Sequence, residues 1–468
     1  MSAVPEFLPG WIATQRWYGG KGRTPKLERR GHWSFRDEGW FARIETHLLL
    51  DSTGDEPALY QVPLTFRDAP LEGHEADLIG EVTEDDGTHL YVYDGPKDPA
   101  YAWALLRLIL DESEAQVSEE SEGSSARGHR QPGVDVVTVV GSRVLNGEQS
   151  NTSIIYDMVG ADGNAVNPMI CKVFRAIHHG ENPDVVLQSA LAGAGSPNVP
   201  LSVGYVEGSW ADPGRTESMA TGHLAFAQEF LPGVQDAWRV ALQAAETGQD
   251  FADQARTLGA ATASVHATLA SALPTVEATP EVVGGIMSSL RSRLATALRE
   301  VPQLEEHRPA IERVYGAAEA VEWPRLQRIH GDYHLGQVLA VPGRGWVLLD
   351  FEGEPLRPMT ERSEPDIALR DVAGMLRSFD YVAGSLTLSG AADAEAATAW
   401  AHSARRAFLD GYIEESGRDV RANRALLDAL EIDKAVYEAI YEIRNRPDWL
   451  EIPTRAVRRL AMRSVPQT

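Results

Sequence analysis

The sequence predicts an α+β protein of two or three units, strand-rich toward its amino terminus and helical beyond Val234. Three observations carry that reading. A chain of 468 residues with 43% hydrophobic residues is globular and too long for one typical core. Short apolar runs bounded by Gly, Pro and Asp recur as far as Gly233, as strands require. Beyond Val234 the apolar residues fall at helical steps instead: Phe251, Ala255, Leu258, Ala261, Val265 and Leu269 form one core-facing stripe, and Trp400, Phe408, Tyr412 and Ile413 another. The expected segments are 1–110, 111–133, 134–233 and 234–468.

In the first segment, Glu45–Leu50 and Leu59–Leu64 read as strands around a turn at Asp51–Glu56, and Tyr101–Leu110 reads as a helix. Near its start Trp11, Trp17 and Tyr18 adjoin the basic, Gly-rich run Lys21–Arg23. That run lacks the strand, loop and helix context of a phosphate-binding loop, so a structural role is expected. Asp111–Gly133 is dominated by Glu, Ser and Gly and has almost no apolar residues to offset the entropy of ordering. A disordered divider is the expectation there.

The third segment opens with the strand-like Val134–Val140. The run LNGEQSNTSIIY then places a small-polar turn, including Ser150 and Asn151, between strand-like flanks, and such turns can aim backbone N–H groups at phosphates. Lys172 lies in the apolar run Met169–Phe174, and a cation in a buried strand requires an anionic partner. The adjacent His178 and His179, without two further ligands, read as loop residues rather than a metal site. Ala227–Gly233 is an apolar strand ending in Pro-Gly.

The stretch from His330 to Glu354, HGDYHLGQVLAVPGRGWVLLDFEGE, carries most of the functional information. Asp332 and Asp350 are separated by a short hairpin turning at Pro342–Gly345, and Gln337 follows Asp332 by five positions. Phosphoryl transfer from a nucleotide needs one carboxylate to orient and deprotonate a hydroxyl, and further oxygen ligands to hold magnesium on the phosphates. Asp332 is the expected catalytic base, with Gln337, Asp350 and Glu352 as the metal ligands. His334 is expected beside Asp332 at the substrate.

Farther on, Asp366, Arg370 and Asp371 begin a helix, where a cap and first-turn charge account for the acids. Arg357, Arg362 and Arg370 read as loop anchors rather than phosphate ligands. A last helix over Ile432–Arg446 places Glu438, Tyr441, Glu442 and Asn445 on one side, before Pro447 stops it and Trp449 follows. Carboxylates, an amide and aromatic rings together suit a sugar. Two carboxylates one turn apart call for a compensating cation, either Lys434 and Arg444 or the ammonium of an amino sugar.

HGDYHLGQVL followed by LLDFEGEP resembles the catalytic and metal-binding loops of the aminoglycoside phosphotransferase-like kinases, and within them the actinobacterial glucosamine kinase and maltokinase group. QRWYGGKGR, from Gln15 to Arg23, resembles the opening of the maltokinase N-terminal cap, and RDVAGMLRSFDY and the tail from Tyr437 to Trp449 resemble the carboxyl-terminal lobe. The resemblance implies a bilobal, protein-kinase-like fold: an N-terminal cap at 1–110, an acidic disordered linker at 111–133, a mixed α/β nucleotide-binding lobe at 134–233 and a mainly helical catalytic and substrate-binding lobe at 234–468. It implies ATP and Mg2+ as cofactors, with Lys172, Ser150 and Asn151 at the phosphates and the hinge residues Gln228, Glu229 and Leu231 at the adenine. Maltokinase-like sequences place an acid near Val186 to steady the lysine. Here that acid is missing, and Asp184 or Glu181 must substitute.

The resemblance of KVFRAIHHGENPD, AFAQEFLPG and KAVYEAIYEIRNRPDW, joined to the charge argument, favours phosphorylation of D-glucosamine at its 6-hydroxyl. The alternatives are a maltokinase forming maltose 1-phosphate and, from another class, a kinase-like binding or regulatory protein without turnover. A net charge of -25 argues against nucleic acid and anionic membranes as partners. The single cysteine, Cys171, excludes an internal disulfide, and the absence of a signal-like start or an apolar span predicts a cytoplasmic chain. A monomer is expected.

Overall fold

The computed structural model describes residues 5–35, 42–54, 57–117, 124–134, 137–145, 150–160 and 162–463. It divides into two compact units, one made of residues 1–189 and 200–232, the other of 190–199 and 233–468. In chain order the elements up to residue 232 are α1 (Leu8–Thr14), β1 (Leu27–Phe35), β2 (Arg43–Asp51), β3 (Ala58–Arg67), β4 (Leu78–Thr83), β5 (His89–Asp94), α2 (Pro99–Leu110), β6 (Ser125–Arg130), β7 (Thr138–Val144), β8 (Asn151–Val159), β9 (Ala165–Phe174), β10 (Ala176–Ile177), α3 (Pro183–Gly193), β11 (Ser202–Ala211) and β12 (Met219–Glu229). One sheet has the order β1-β2-β3-β5-β4 with β10 added to β3, and a second runs β6-β11-β12-β9-β8-β7.

These strands form where β-branched and aromatic residues alternate or run continuously. In β2, residues 44 to 49 are all buried, so both faces of the first sheet are covered. One face contributes Trp33, Ile44 and Leu48 to a core shared with α2 and the second sheet; the other packs Leu49, Val62 and Leu64 against Leu8 and Ile12 of α1. α2 lies so close to β6 that a Cβ on Gly128 would sit 1.9 Å from the Leu108 carbonyl oxygen. Glycine is therefore required at that point, and the Tyr156 hydroxyl fixes the same helix by donating to the Ala102 carbonyl at 2.9 Å.

Two expectations are corrected here. Ser125–Arg130, assigned to a disordered linker, is strand β6, paired along its length with β11; residues 118–123 of that linker lie outside the described residues. The strand forms because Ala126 and Gly128 are buried while Ser125 and Arg127 stay exposed, a period of two that the small, polar composition concealed. Nor are the cap and the nucleotide segment separate bodies. β10 pairs with β3, Arg175 donates to Asp94 at 2.7 and 2.8 Å, and the Gln61 amide donates to the carbonyls of Phe174 and Leu224, all at buried positions.

The second unit holds β13 (Gln235–Asp236), α4 (Ala237–Glu246), α5 (Ala252–Ala272), α6 (Pro280–Glu300), α7 (Arg308–Glu319), β14 (Val338–Val341), β15 (Gly345–Leu348), α8 (Met359–Ser363), α9 (Leu369–Ser389), α10 (Ala394–Ser416), α11 (Arg424–Asn445) and α12 (Glu451–Arg463). β14 and β15 form the expected hairpin, and β13 adds to its edge. α5 and α10 touch backbone to backbone: a Cβ on Gly259 would meet the Phe408 carbonyl oxygen at 2.0 Å, and one on Gly411 would meet that of Arg256 at 1.9 Å. Among the described residues no helix is long and apolar enough to cross a membrane.

Candidate active site

The loop His330–Asp332 leaves Gln327 and ends at a short helical turn, Leu335–Gln337, before β14. Its backbone is held by one side chain from α9. Asp371 accepts from the N–H of His330 and of Gly331, each at 2.9 Å, and from His266 Nε2 at 2.9 Å. Burial alone would push Asp371 up, but the His266 hydrogen bond, the nearby imidazoles and the Gly331 amide hold its carboxyl below the usual carboxylate range. The expected helix-charge role for Asp371 is thus too small. Gly374, one turn later, allows the approach, since a Cβ there would stand 2.5 Å from the Tyr333 carbonyl oxygen.

His330 joins this loop to the next one. Its Nε2 donates to the Leu349 carbonyl at 2.8 Å, which leaves Nδ1 as acceptor for the Asp332 N–H at 3.4 Å, while the ring stacks on Phe351 with centroids 4.6 Å apart. Asp350 follows β15 with a φ of 62°, a left-handed backbone that a non-glycine residue adopts only under constraint. The Gln337 amide donates to Asp350 at 3.2 Å, and the Leu349 N–H donates to the Gln337 carbonyl at 2.9 Å. The hairpin therefore brings Gln337 and Asp350 together as the sequence expects. Glu352 lies two residues on, its main-chain carbonyl accepting from Arg362 at 3.2 Å. Side-chain oxygens in this local arrangement suit a hard divalent cation such as magnesium.

Lys434 of α11 lies between two carboxylates, donating to Asp332 at 2.9 Å and to Glu354 at 2.8 Å. Burial pulls its pKa down, but the charges of Asp332 and Glu354 more than offset this, so it stays protonated. Glu354 also accepts from Arg357 at 2.8 Å; Arg357 and Arg370 in turn reach Asp366 and Asp433, and Arg293 also meets Asp433. Arg357 and Arg370 are therefore structural anchors, as expected. Asp366 does not cap the helix, however: its carboxylate accepts from Ile367 N–H at 2.7 Å and holds Arg370 at 2.6 Å, ahead of α9.

A cavity of about 390 Å³ opens beside Asp332. His334, Lys434, Tyr437, Glu438, Tyr441, Glu442, Tyr381, Trp449 and Trp238 are among its lining residues. His334 uses Nδ1 to accept from the Gly336 N–H at 3.0 Å, and burial pulls its pKa below the usual range. The Tyr381 and Trp449 rings stack with centroids 6.5 Å apart. Two expectations about this wall are corrected. Asn445 is exposed and donates to the Tyr441 carbonyl of its own helix at 2.9 Å, because one more helical step carries it past the cavity's rim. The repulsion between Glu438 and Glu442 is relieved by Arg377 and Arg446 at 2.6 and 2.7 Å, whereas Arg444 is engaged with Glu300. Arg377 was not legible as a partner because it comes from α9, far away in sequence.

Within the first unit, Lys172 pairs with Asp184 at 2.8 Å, and the buried Gln188 donates to the other oxygen of Asp184 at 2.6 Å. The missing acid near Val186 is thus replaced by an acid at the start of α3, braced by an amide one turn on. Asn182 steadies that start by accepting from the Asp184 N–H at 2.8 Å, and its own N–H donates to His223 Nδ1 at 2.9 Å. Gln228 is buried in β12 opposite Ile170 and Ser202. The Glu229 N–H, expected to be available at a hinge, donates to the Leu201 carbonyl at 2.8 Å, and Leu231 precedes the turn at Pro232 and Gly233. Asn151 starts β8 opposite Phe174, with Ser150 before it; residues 146–149 of the expected phosphate turn lie outside the described residues.

The chain matches the model of the maltokinase N-terminal cap domain over residues 11–98 and that of the phosphotransferase enzyme family over residues 186–412. A glucosamine kinase of Streptacidiphilus jiangxiensis is 34% identical over 247 residues, a match covering 49% of this chain and 56% of that relative. One of Mycolicibacterium smegmatis is 28% identical over 348 residues, covering 68% of this chain and 79% of the relative. In solved structures, a glucosamine kinase in complex with glucosamine, ADP and inorganic phosphate shares the fold with a TM-score of 0.64 and 22% identity, over 97% of this chain and 98% of that one. A second crystal form reaches 0.67 at 22% identity, over 97% and 99%. A segment similar to the maltokinase N-terminal cap is thus followed along the chain by one similar to the phosphotransferase enzyme family, on a fold shared with solved glucosamine kinases.

Proposed function

We propose that this protein is an ATP- and magnesium-dependent sugar kinase that transfers the γ-phosphoryl group to the 6-hydroxyl of D-glucosamine. The observation that carries the reading is the cavity at Asp332, walled by carboxylates and aromatic rings, in a chain whose curated relatives are glucosamine kinases. Asp332 orients the hydroxyl and receives its proton as the sugar oxygen bonds to phosphorus and the bond from the γ-phosphorus to ADP breaks. Lys434 fixes the rotamer of Asp332, and Asp371 fixes the loop beneath it.

Gln337, Asp350 and Glu352 hold magnesium, which when bound neutralises charge on the phosphate oxygens. Lys172, kept in place by Asp184, serves the phosphates, together with the turn at Ser150 and Asn151; the strand end at Gln228, Glu229 and Leu231 serves the adenine. Tyr381, Tyr441 and Trp449 offer faces to the sugar's C–H groups, and Glu438 and Glu442, though paired with arginines, offer carboxylate oxygens that can accept from an ammonium or hydroxyl.

The maltokinase-type cap favours a second reading, transfer to the anomeric hydroxyl of maltose. Incubation with ATP, magnesium and glucosamine, glucose or maltose in parallel, with the phosphorylated position read by phosphorus NMR, separates the two. Glucosamine 6-phosphate as the preferred product supports the proposal. Maltose 1-phosphate, or no product from any of the three, rejects it.

A further inference from the structure

The cap sheet contains a group that the kinase reaction does not use. β1 and β2 pair antiparallel with His32 directly opposite His47, and the two-residue period of β2 puts Glu45 on the same face as His47. The atoms that could bind an ion, one from each of these residues, all lie within 4.8 Å of one another. Glu45 Oε2 stands 3.2 Å from His47 Nε2 and 3.4 Å from His32 Nε2. Its other oxygen is held by Arg43 at 3.0 Å, so Oε2 is left to face the two rings.

The setting is apolar. His47 is 1% exposed and Glu45 6%, and their neighbours on β3 are Val62 and Leu64. Yet the contacts of Glu45 Oε2 with the two Nε2 atoms fall short of well-aligned hydrogen bonds, and His47 Nδ1 makes none among the described residues. Buried polar atoms left unsatisfied in this way are rare and costly. Protonating both rings does not resolve the problem, since their centroids are 4.8 Å apart, burial depresses His47, and Arg43 and Arg29 already supply positive charge nearby. A metal ion would satisfy all three groups at once. Ligands about 2.0 to 2.1 Å from a tetrahedral centre are separated by about 3.3 Å, close to the two separations observed. Two imidazoles and a carboxylate suit zinc, whereas magnesium and calcium take oxygen ligands.

We propose that His32, Glu45 and His47 form a metal site within the cap sheet, taking one zinc ion or a similar divalent transition metal with a fourth position open to water or another ligand. By cross-linking β1 to β2 the ion would pin the sheet that α1 packs against. The test uses the full chain, stripped with chelator and then titrated with zinc and, separately, with cobalt(II). Bound metal is counted by mass spectrometry after dialysis, and the cobalt form is examined for the intense visible absorption of a tetrahedral nitrogen and oxygen site. The expected result is about one zinc held per chain, as three converging protein ligands with one open position predict. His32→Gln and Glu45→Gln, checked for folding by circular dichroism, should lose it; Asp350→Ala, altered at the proposed magnesium loop, should keep it. A wild-type chain that retains no zinc and gives no tetrahedral cobalt spectrum overturns the proposal, as does unchanged stoichiometry in folded His32→Gln. The wild-type cobalt spectrum decides the matter even if a variant fails to fold.

Discussion

His223 couples acidity to the lysine pair of the first unit. Burial, with His129 nearby, lowers its pKa from 6.5 to about 4, and its neutral Nδ1 accepts the Asn182 N–H that anchors the start of α3. The sign follows from linkage: an unfolded histidine takes up a proton below its ordinary pKa while the folded one does not, so stability falls as pH drops from 6.5 toward about 4. Urea unfolding should show the wild type losing about 2 kcal/mol more than His223→Gln between about pH 7.5 and about pH 5. Parallel losses in the two proteins would remove His223 as the source.

Among elements, α9 does the most to shape the candidate site. It supplies Asp371 to the catalytic loop, Gly374 to the close approach, Ser378 to the Leu335 N–H and Arg377 to Glu438. Gly374→Ala should push α9 off Tyr333 and lower transfer by at least about tenfold while the chain stays folded, because misplacement of about 1 Å is enough to cost that much. Unaltered kcat and KM would show that the contact is slack. Glu438→Gln should cost about 3 kcal/mol, because the buried Arg377 loses one of its two acidic partners. Thermal unfolding measures this, and a change within about 0.5 kcal/mol would mean that Asp380 alone satisfies the guanidinium.

At the scale of the whole molecule, legibility followed distance along the chain. Gln337 and Asp350 were readable together because one hairpin joins them, so their spacing already encodes their meeting. Lys434 comes from 102 residues beyond Asp332 and Asp371 from 41 residues beyond His330, and neither pairing leaves a local pattern. The Asp184–Gln188 brace was half legible: Asp184 was noted as a substitute for the acid missing near Val186, but Gln188 leaves no local sign that it braces that acid. The cap was misread as a separate body because β10, which ties the strand of Lys172 to β3, is only two residues long. β6 was missed because small and polar residues can form an edge strand when a neighbour, here β11, supplies the pairing.

The proposed division of labour has Asp332 activate the hydroxyl while other groups bind the nucleotide. The most direct test compares Asp332→Asn with the wild type for turnover on glucosamine and for ATP affinity in the presence of magnesium. Turnover should fall by at least about 100-fold, the usual contribution of a positioned base, with ATP affinity changed by less than about threefold. Comparable turnover in the variant would contradict it.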